Sequence, residues 1–243
     1  MNKWIICIIV MISPLFAIAQ FSDSVNYHFQ FNSTGSINKT DLGDAYLLNN
    51  NMRLGIKKES ISLNATAGWV YGQQQQKLTN NDFNSALDFN LYKTLPHFYY
   101  WGLASYNTSY SLKLNNQQQY GVGVAYNIYD RKNAYLNISD GILYENSDLS
   151  INDTTREIYN TFRNSLRVAF RFTIMDIVTI HSNSFLQNSL NYGDDYIIKS
   201  TSGLSLKLYK WLSFTTSLTY NKVSRTNKEN LLFNYGLSID KYF

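Results

Sequence analysis

Proline is nearly missing from this chain: of two, Pro14 lies in the first apolar stretch and only Pro96 follows. Proline removes a donor from a backbone ladder, so its scarcity fits a chain made almost entirely of paired strands. The single cysteine, Cys7, sits in the same apolar stretch, so the rest of the chain forms no disulfide and uses no thiolate. Asp, Glu, Lys and Arg make up 16% of residues, against a usual ~25%. The net charge of +4 is scattered, not gathered into the basic block that nucleic acid would call for. Beyond residue 20 no apolar run approaches the ~18 residues that mark a membrane helix. There is no HExxH, phosphate-cradling glycine loop or Cys/His cluster, so neither metal nor cofactor is expected.

What is present begins with an export signal. Lys3 precedes the apolar run Trp4 to Phe16, and Ala17-Ile18-Ala19 supplies a small-x-small cleavage pattern. Residues 1–19 read as a signal peptide and 20–243 as the mature domain. An uncleaved anchor is the alternative, but a run of about 13 residues is short for a span of roughly 20. Cys7 lies inside the run and not after a lipobox, which argues against a lipoprotein.

Twenty Tyr and fourteen Phe coexist with a mean hydropathy of −0.28, because apolar and polar residues alternate with period two. Val25, Tyr27, Phe29 and Phe31 alternate with Asn26, His28, Gln30 and Asn32. Tyr120, Val122, Val124, Tyr126 and Ile128 alternate with Gly121, Gly123, Ala125 and Asn127. In the fifth run, Phe98, Tyr100 and Tyr106 take one parity while Trp101 and Leu103 take the other, so its facing stays open. Twelve such runs are found, with short connections (Lys57-Lys58, 93–97, 129–133, 174–176, 209–211) alternating with longer polar ones (37–43, 73–81, 112–119, 146–157, 187–194, 222–228). In hydrocarbon every backbone group needs a partner, and a closed barrel supplies one without an edge. The expected fold is an all-β, twelve-stranded antiparallel up-and-down transmembrane β-barrel, apolar toward lipid and polar toward a lumen. Trp69, Tyr71, Tyr126, Tyr129, Tyr209, Trp211, Tyr220, Tyr242 and Phe243 sit near run ends as interfacial girdles would. A soluble secreted β-sandwich that binds surfaces is the competing architecture.

Several stretches resemble a family of unknown function typified by salt-induced outer-membrane proteins of bacteria. They are Tyr120 to Tyr126, Gly141 to Glu145, Phe162 to Leu166, Asp194-Asp195-Tyr196, Gly203 to Tyr220 and Leu231 to Phe243. The family's Asp-Tyr-Arg element is here Asp195-Tyr196-Ile197, so no role for that arginine carries over. The resemblance implies an outer-membrane barrel with no assigned chemistry. The closing run, Phe233, Tyr235, Leu237, Ile239 and Phe243, resembles the terminal strand read by barrel-assembly machinery. Expected partners are therefore that machinery and the lipid bilayer, with no nucleic acid.

For function, the inward parity is the informative one. Arg163, Arg167 and Arg171 recur at every fourth position on one polar face, with Lys199 and Lys207 on another run and Arg53 on a third. Asp88, Glu145 and Asp240 are the inward acids. An open, water-filled lumen with this lining would favour anions, because guanidinium presents fixed bidentate donors. The alternative is a narrow lumen in which these cations pair with neighbouring acids and amides. His181-Ser182-Asn183-Ser184 has the letters of a hydrolase site, but alternation separates the histidine from both serines, which defeats the triad geometry. No enzyme activity is expected. Asp194-Asp195, Asn152-Asp153, Gln73 to Gln76 and Asn115 to Gln119 read as solvated loop positions.

Overall fold

The computed structural model describes residues 26–40, 43–95, 97–151 and 155–242. The N-terminal segment expected as a signal peptide, Pro96, Asn152-Asp153 and the terminal Phe243 lie outside them, as does the side chain of Tyr242. Alternating side chains commit the chain to twelve strands. They are β1 (Tyr27–Thr40), β2 (Gly43–Lys58), β3 (Ile61–Gln74), β4 (Lys77–Leu95), β5 (Phe98–Ser109) and β6 (Leu114–Arg131), then β7 (Ala134–Ser150), β8 (Arg156–Ile174), β9 (Val178–Ser189), β10 (Tyr196–Lys207), β11 (Leu212–Val223) and β12 (Lys228–Tyr242). Each pairs antiparallel with its sequence neighbour. The seam closes where β1 meets β12, from His28 opposite Tyr242 to Thr34 opposite Gly236. The result is one closed barrel.

Closure excludes the sandwich. In a sandwich the apolar rows would meet in the middle, whereas here they point outward: Val122 is 69% exposed, Phe233 61% and Ile142 53%, while inward Asn137 and Asn234 are wholly buried. This is the inside-out arrangement that lipid selects. Aromatic pairs collect toward the two rims, among them Phe98–Tyr126 (ring centres 4.7 Å apart) and Tyr209–Trp211 (6.2 Å) at the end that carries the chain termini. Trp69–Tyr71 (5.6 Å) and Tyr144–Phe162 (5.5 Å) lie at the opposite, loop end.

The connections differ from the sequence expectation. Polar segments expected as long loops are mostly strand. The turn between β3 and β4 is only Gln75-Gln76, both in the left-handed region (φ 50° and 62°), and β7 runs on to Ser150. Gln117 and Gln119, expected to face solvent in a loop, are 1% exposed within β6 and point inward. The physical reason is that these strands continue past the apolar belt, where the outward face turns polar as well and the two-faced contrast disappears.

Facing in β5 is settled by its register. Trp101 stands opposite Gly123, and Leu103 opposite Gly121. Tyr99, Trp101 and Leu103 point into the lumen, leaving Phe98, Tyr100 and Tyr106 outside.

Candidate functional site

Period-two alternation on twelve strands delivers about half of the strand side chains to one interior, so the lumen is the candidate site. One side of it is filled. Gly123 and Gly141 face each other across β6 and β7. A Cβ on either would collide with the indole of Trp101, so the missing side chains make the space in which that ring lies. The indole nitrogen donates to the carbonyl of Val124 at 3.2 Å. Gly121 gives way in the same manner to the wholly buried Leu143. Tyr92 and Tyr99 (ring centres 4.8 Å apart) fill the lumen on the same side. These glycines belong to the stretches that carried the family resemblance, and their common role is to let large inward side chains lie across the wall.

The six sequence-selected cations separate. Arg163 is wholly buried and bound to carboxylates: its Nε donates to Glu145 Oε2 at 2.7 Å, and its Nη2 to Asp195 Oδ1 at 2.9 Å. Arg167 Nε donates to Asn183 Oδ1 at 2.7 Å, and its guanidinium lies 5.5 Å from the centre of the Phe185 ring. Arg171 lies over Tyr135 at 5.9 Å, opposite His181. Arg53 Nη2 donates to Asn64 Oδ1 at 3.1 Å and remains exposed to the lumen. Lys199 Nζ reaches Gln117 Oε1 at 3.5 Å, and Lys207 is half-buried near the terminus end of β10. Asp88 lies within electrostatic reach of both Arg53 and Arg167. The other two inward acids are already held: Asp240 by His28 at 2.5 Å, and Glu145 by Arg163.

Toward the loop end, an ionic cluster crosses from strand to loops. Glu145 accepts from Arg163, from Tyr159 Oη (2.7 Å), from Ser147 Oγ (2.9 Å) and from Gln119 Nε2 (2.7 Å). Asp195, in the β9–β10 loop, is buried and accepts from both Arg163 and Arg225 Nε (2.7 Å). It is not the solvated loop acid the sequence suggested. Arg225, in the β11–β12 loop, also donates to Glu157 at 2.5 Å and lies between the rings of Tyr159 and Tyr192, 3.9 Å and 4.5 Å from their centres. Sequence reasoning missed Arg225 and Glu157 because they sit in or beside loops, where alternation carries no information. Farther out, Asp148 is held by Arg156, whose hydrogen bonds keep its carboxyl below the usual carboxylate range.

His181 and Asn183 face the lumen. Ser182 and Ser184 face outward and pair with Ser202 and Ser200 at 2.9 Å and 2.8 Å. The separation expected from alternation is what the structure shows. Among the described residues no group of His, Cys, Asp and Glu is disposed to hold a metal.

A family model described as a protein of unknown function, DUF481, matches residues 21–235. No protein of curated function matches the chain in sequence. Among solved structures, the barrel is similar to the NanC porin, with a TM-score of 0.54 and 10% identity over 88% of this chain and 98% of that one. It is also similar to the COG4313 outer membrane channel from Pseudomonas putida F1, with a TM-score of 0.53 and 9% identity over 96% and 100% of the two chains. At such identities the likeness is one of fold.

Proposed function

Since this chain belongs to the DUF481 family of proteins of unknown function, whose description carries no activity, we propose from the lumen itself that it is a bacterial outer-membrane barrel acting as a narrow, anion-preferring channel. One observation carries this reading. Arg53, Arg167 and Arg171 face the interior with amide and aromatic partners and form no ion pair among the described residues. Asp88 is the acid placed to oppose two of them. A guanidinium keeps its charge in any physiological environment, so it attracts anions at a constriction without needing a partner's proton. Lys199 and Lys207 extend the same sign along β10. Export by the N-terminal signal and recognition of the last strand by barrel-assembly machinery would bring the chain to that membrane.

The test is planar-bilayer conductance with a salt gradient. The wild-type reversal potential should report anions as the faster ions. Replacing Arg53, Arg167 and Arg171 together by Gln should bring the permeability ratio toward parity. Conductance whose selectivity ignores the triple replacement would overturn the reading.

A second reading has its own observation. Trp101, Tyr99 and Leu143 fill one side of the lumen, and the Arg225 cluster ties loops at its mouth. A plugged barrel with an envelope-maintenance role, as the resemblance to salt-induced outer-membrane proteins implies, would show no conductance while folding normally.

A further inference from the structure

The lumen holds a cavity of ≈ 350 Å³ toward its loop end, bounded by β2 to β6 and by β9 to β12. Its lining is of two kinds. Leu114, Ile197, Val223 and Phe185 supply apolar surface, and among them stand amide and hydroxyl groups and the ammonium of Lys199.

What distinguishes the polar lining is its unused hydrogen-bonding capacity. Asn84 and Asn51 lie together over Gly68, where a Cβ would strike both carboxamide oxygens. Among the described residues the side chain of Asn84, exposed to the lumen, has no hydrogen-bond partner, and that of Asn51 uses only its nitrogen, toward Asn49 at 2.7 Å. Asn221 uses only its nitrogen, toward Asn230 at 3.1 Å, leaving its carbonyl oxygen to the cavity. Thr219 lines the same space. One step below, Asn234 stands across from the cavity-lining Ser217 and is wholly buried, with neither side-chain nitrogen nor oxygen hydrogen-bonded.

The cavity's carboxylate is otherwise engaged. Asp82 accepts from Ser109 Oγ (2.9 Å), from Ser111 Oγ (2.7 Å) and backbone nitrogen (3.1 Å), and from Asn80 (3.1 Å). The cavity's cation, Lys199, reaches Gln117 Oε1 at 3.5 Å. The remaining free groups are neutral, supply donors and acceptors side by side, and lie beside apolar surface that carries an aromatic ring.

We propose that this cavity binds a saccharide. A sugar's hydroxyls each donate and accept, which matches paired carboxamides, while its C–H face suits Phe185 and the aliphatic surface. A simple inorganic anion would leave the carboxamide oxygens unanswered. The volume is at the low end of the ≈ 300–1,000 Å³ over which small ligands are held, so one or two rings fit and a long chain does not. This rests on the channel reading only in that the sugar enters from a mouth of the lumen.

The test uses the full mature barrel in lauryldimethylamine oxide, a detergent without a sugar headgroup, with sucrose as the probe. Saturation-transfer NMR and calorimetry should show saturable binding. Asn84→Leu and Thr219→Val should each weaken it about tenfold, the loss expected when a designed polar contact is removed. Both variants keep the number and branching of side-chain heavy atoms, and a preserved heat-induced gel shift verifies that they fold. No saturable signal, or an affinity unchanged in either folded variant, overturns the proposal. Sucrose binding without bilayer conductance retains this inference and removes the channel reading; conductance without sucrose binding does the reverse.

Discussion

Arg163 illustrates how a charge becomes structural once it is denied water. Its guanidinium and the carboxylate of Glu145 are both wholly buried, and Asp195 is nearly so. Taking away the cation strands the buried Glu145 carboxylate and leaves Asp195 to Arg225 alone, a loss of roughly 3–5 kcal/mol for a buried pair. Arg163→Met should therefore lower the urea midpoint of the heat-shifted band sharply. Arg163→Met combined with Glu145→Leu should recover a good part of that loss, because a matched apolar pair leaves no charge unanswered at that contact. Asp148 behaves differently because Arg156 is 64% exposed. Its folded carboxyl is held below the ordinary value, so its contribution is present at neutral pH and disappears as pH falls through the depressed value. The prediction is that Arg156→Ala lowers the unfolding midpoint slightly at pH 7, and by progressively less as pH falls below the ordinary carboxylate range.

At the scale of elements, β5, β6 and β7 show why glycine recurs in an otherwise β-branched and aromatic wall. Gly123 and Gly141 form a window over which Trp101 lies. Trp101→Ala should open that side of the lumen, and single-channel conductance should rise; an unchanged current would mean that the ring is not at the constriction. The loops at the other end are tied by Arg225, which joins the β11–β12 loop to Asp195 of the β9–β10 loop and to Glu157 of β8. Arg225→Ala should leave the barrel folded but make the β9–β10 and β11–β12 loops more readily cut by added protease, since loops lacking their shared partner open more often. Alternation made the strands legible within the apolar belt. It failed from Gln117 to Gln119, where both faces are polar, and from Asn146 to Ser150, where only the inward Leu149 interrupts a polar run, so that periodicity no longer separates strand from loop.

For the whole molecule, twelve crossings close because antiparallel neighbours leave an edge only at β1 and β12, and these two pair with each other. That closure turns a list of inward residues into a lumen with distinct regions: one filled by Trp101, Leu143 and the tyrosines, another open toward the loop end around Asn84 and Asn221. Residues far apart in sequence meet there, as where Gln119 of β6 donates to Gln187 of β9 at 3.0 Å.

The sequence by itself determined the barrel, its strand number and, on every strand but β5, which parity faces outward, because those follow from period two and from the need to pair every backbone group in hydrocarbon. It also placed all six cations on the inward face. Only the tertiary structure decided which of them stay available. Whether an inward arginine meets a carboxylate, an amide or an aromatic ring depends on strand stagger and on loops folding back over the mouth. Both are set by long-range closure, to which local alternation is blind.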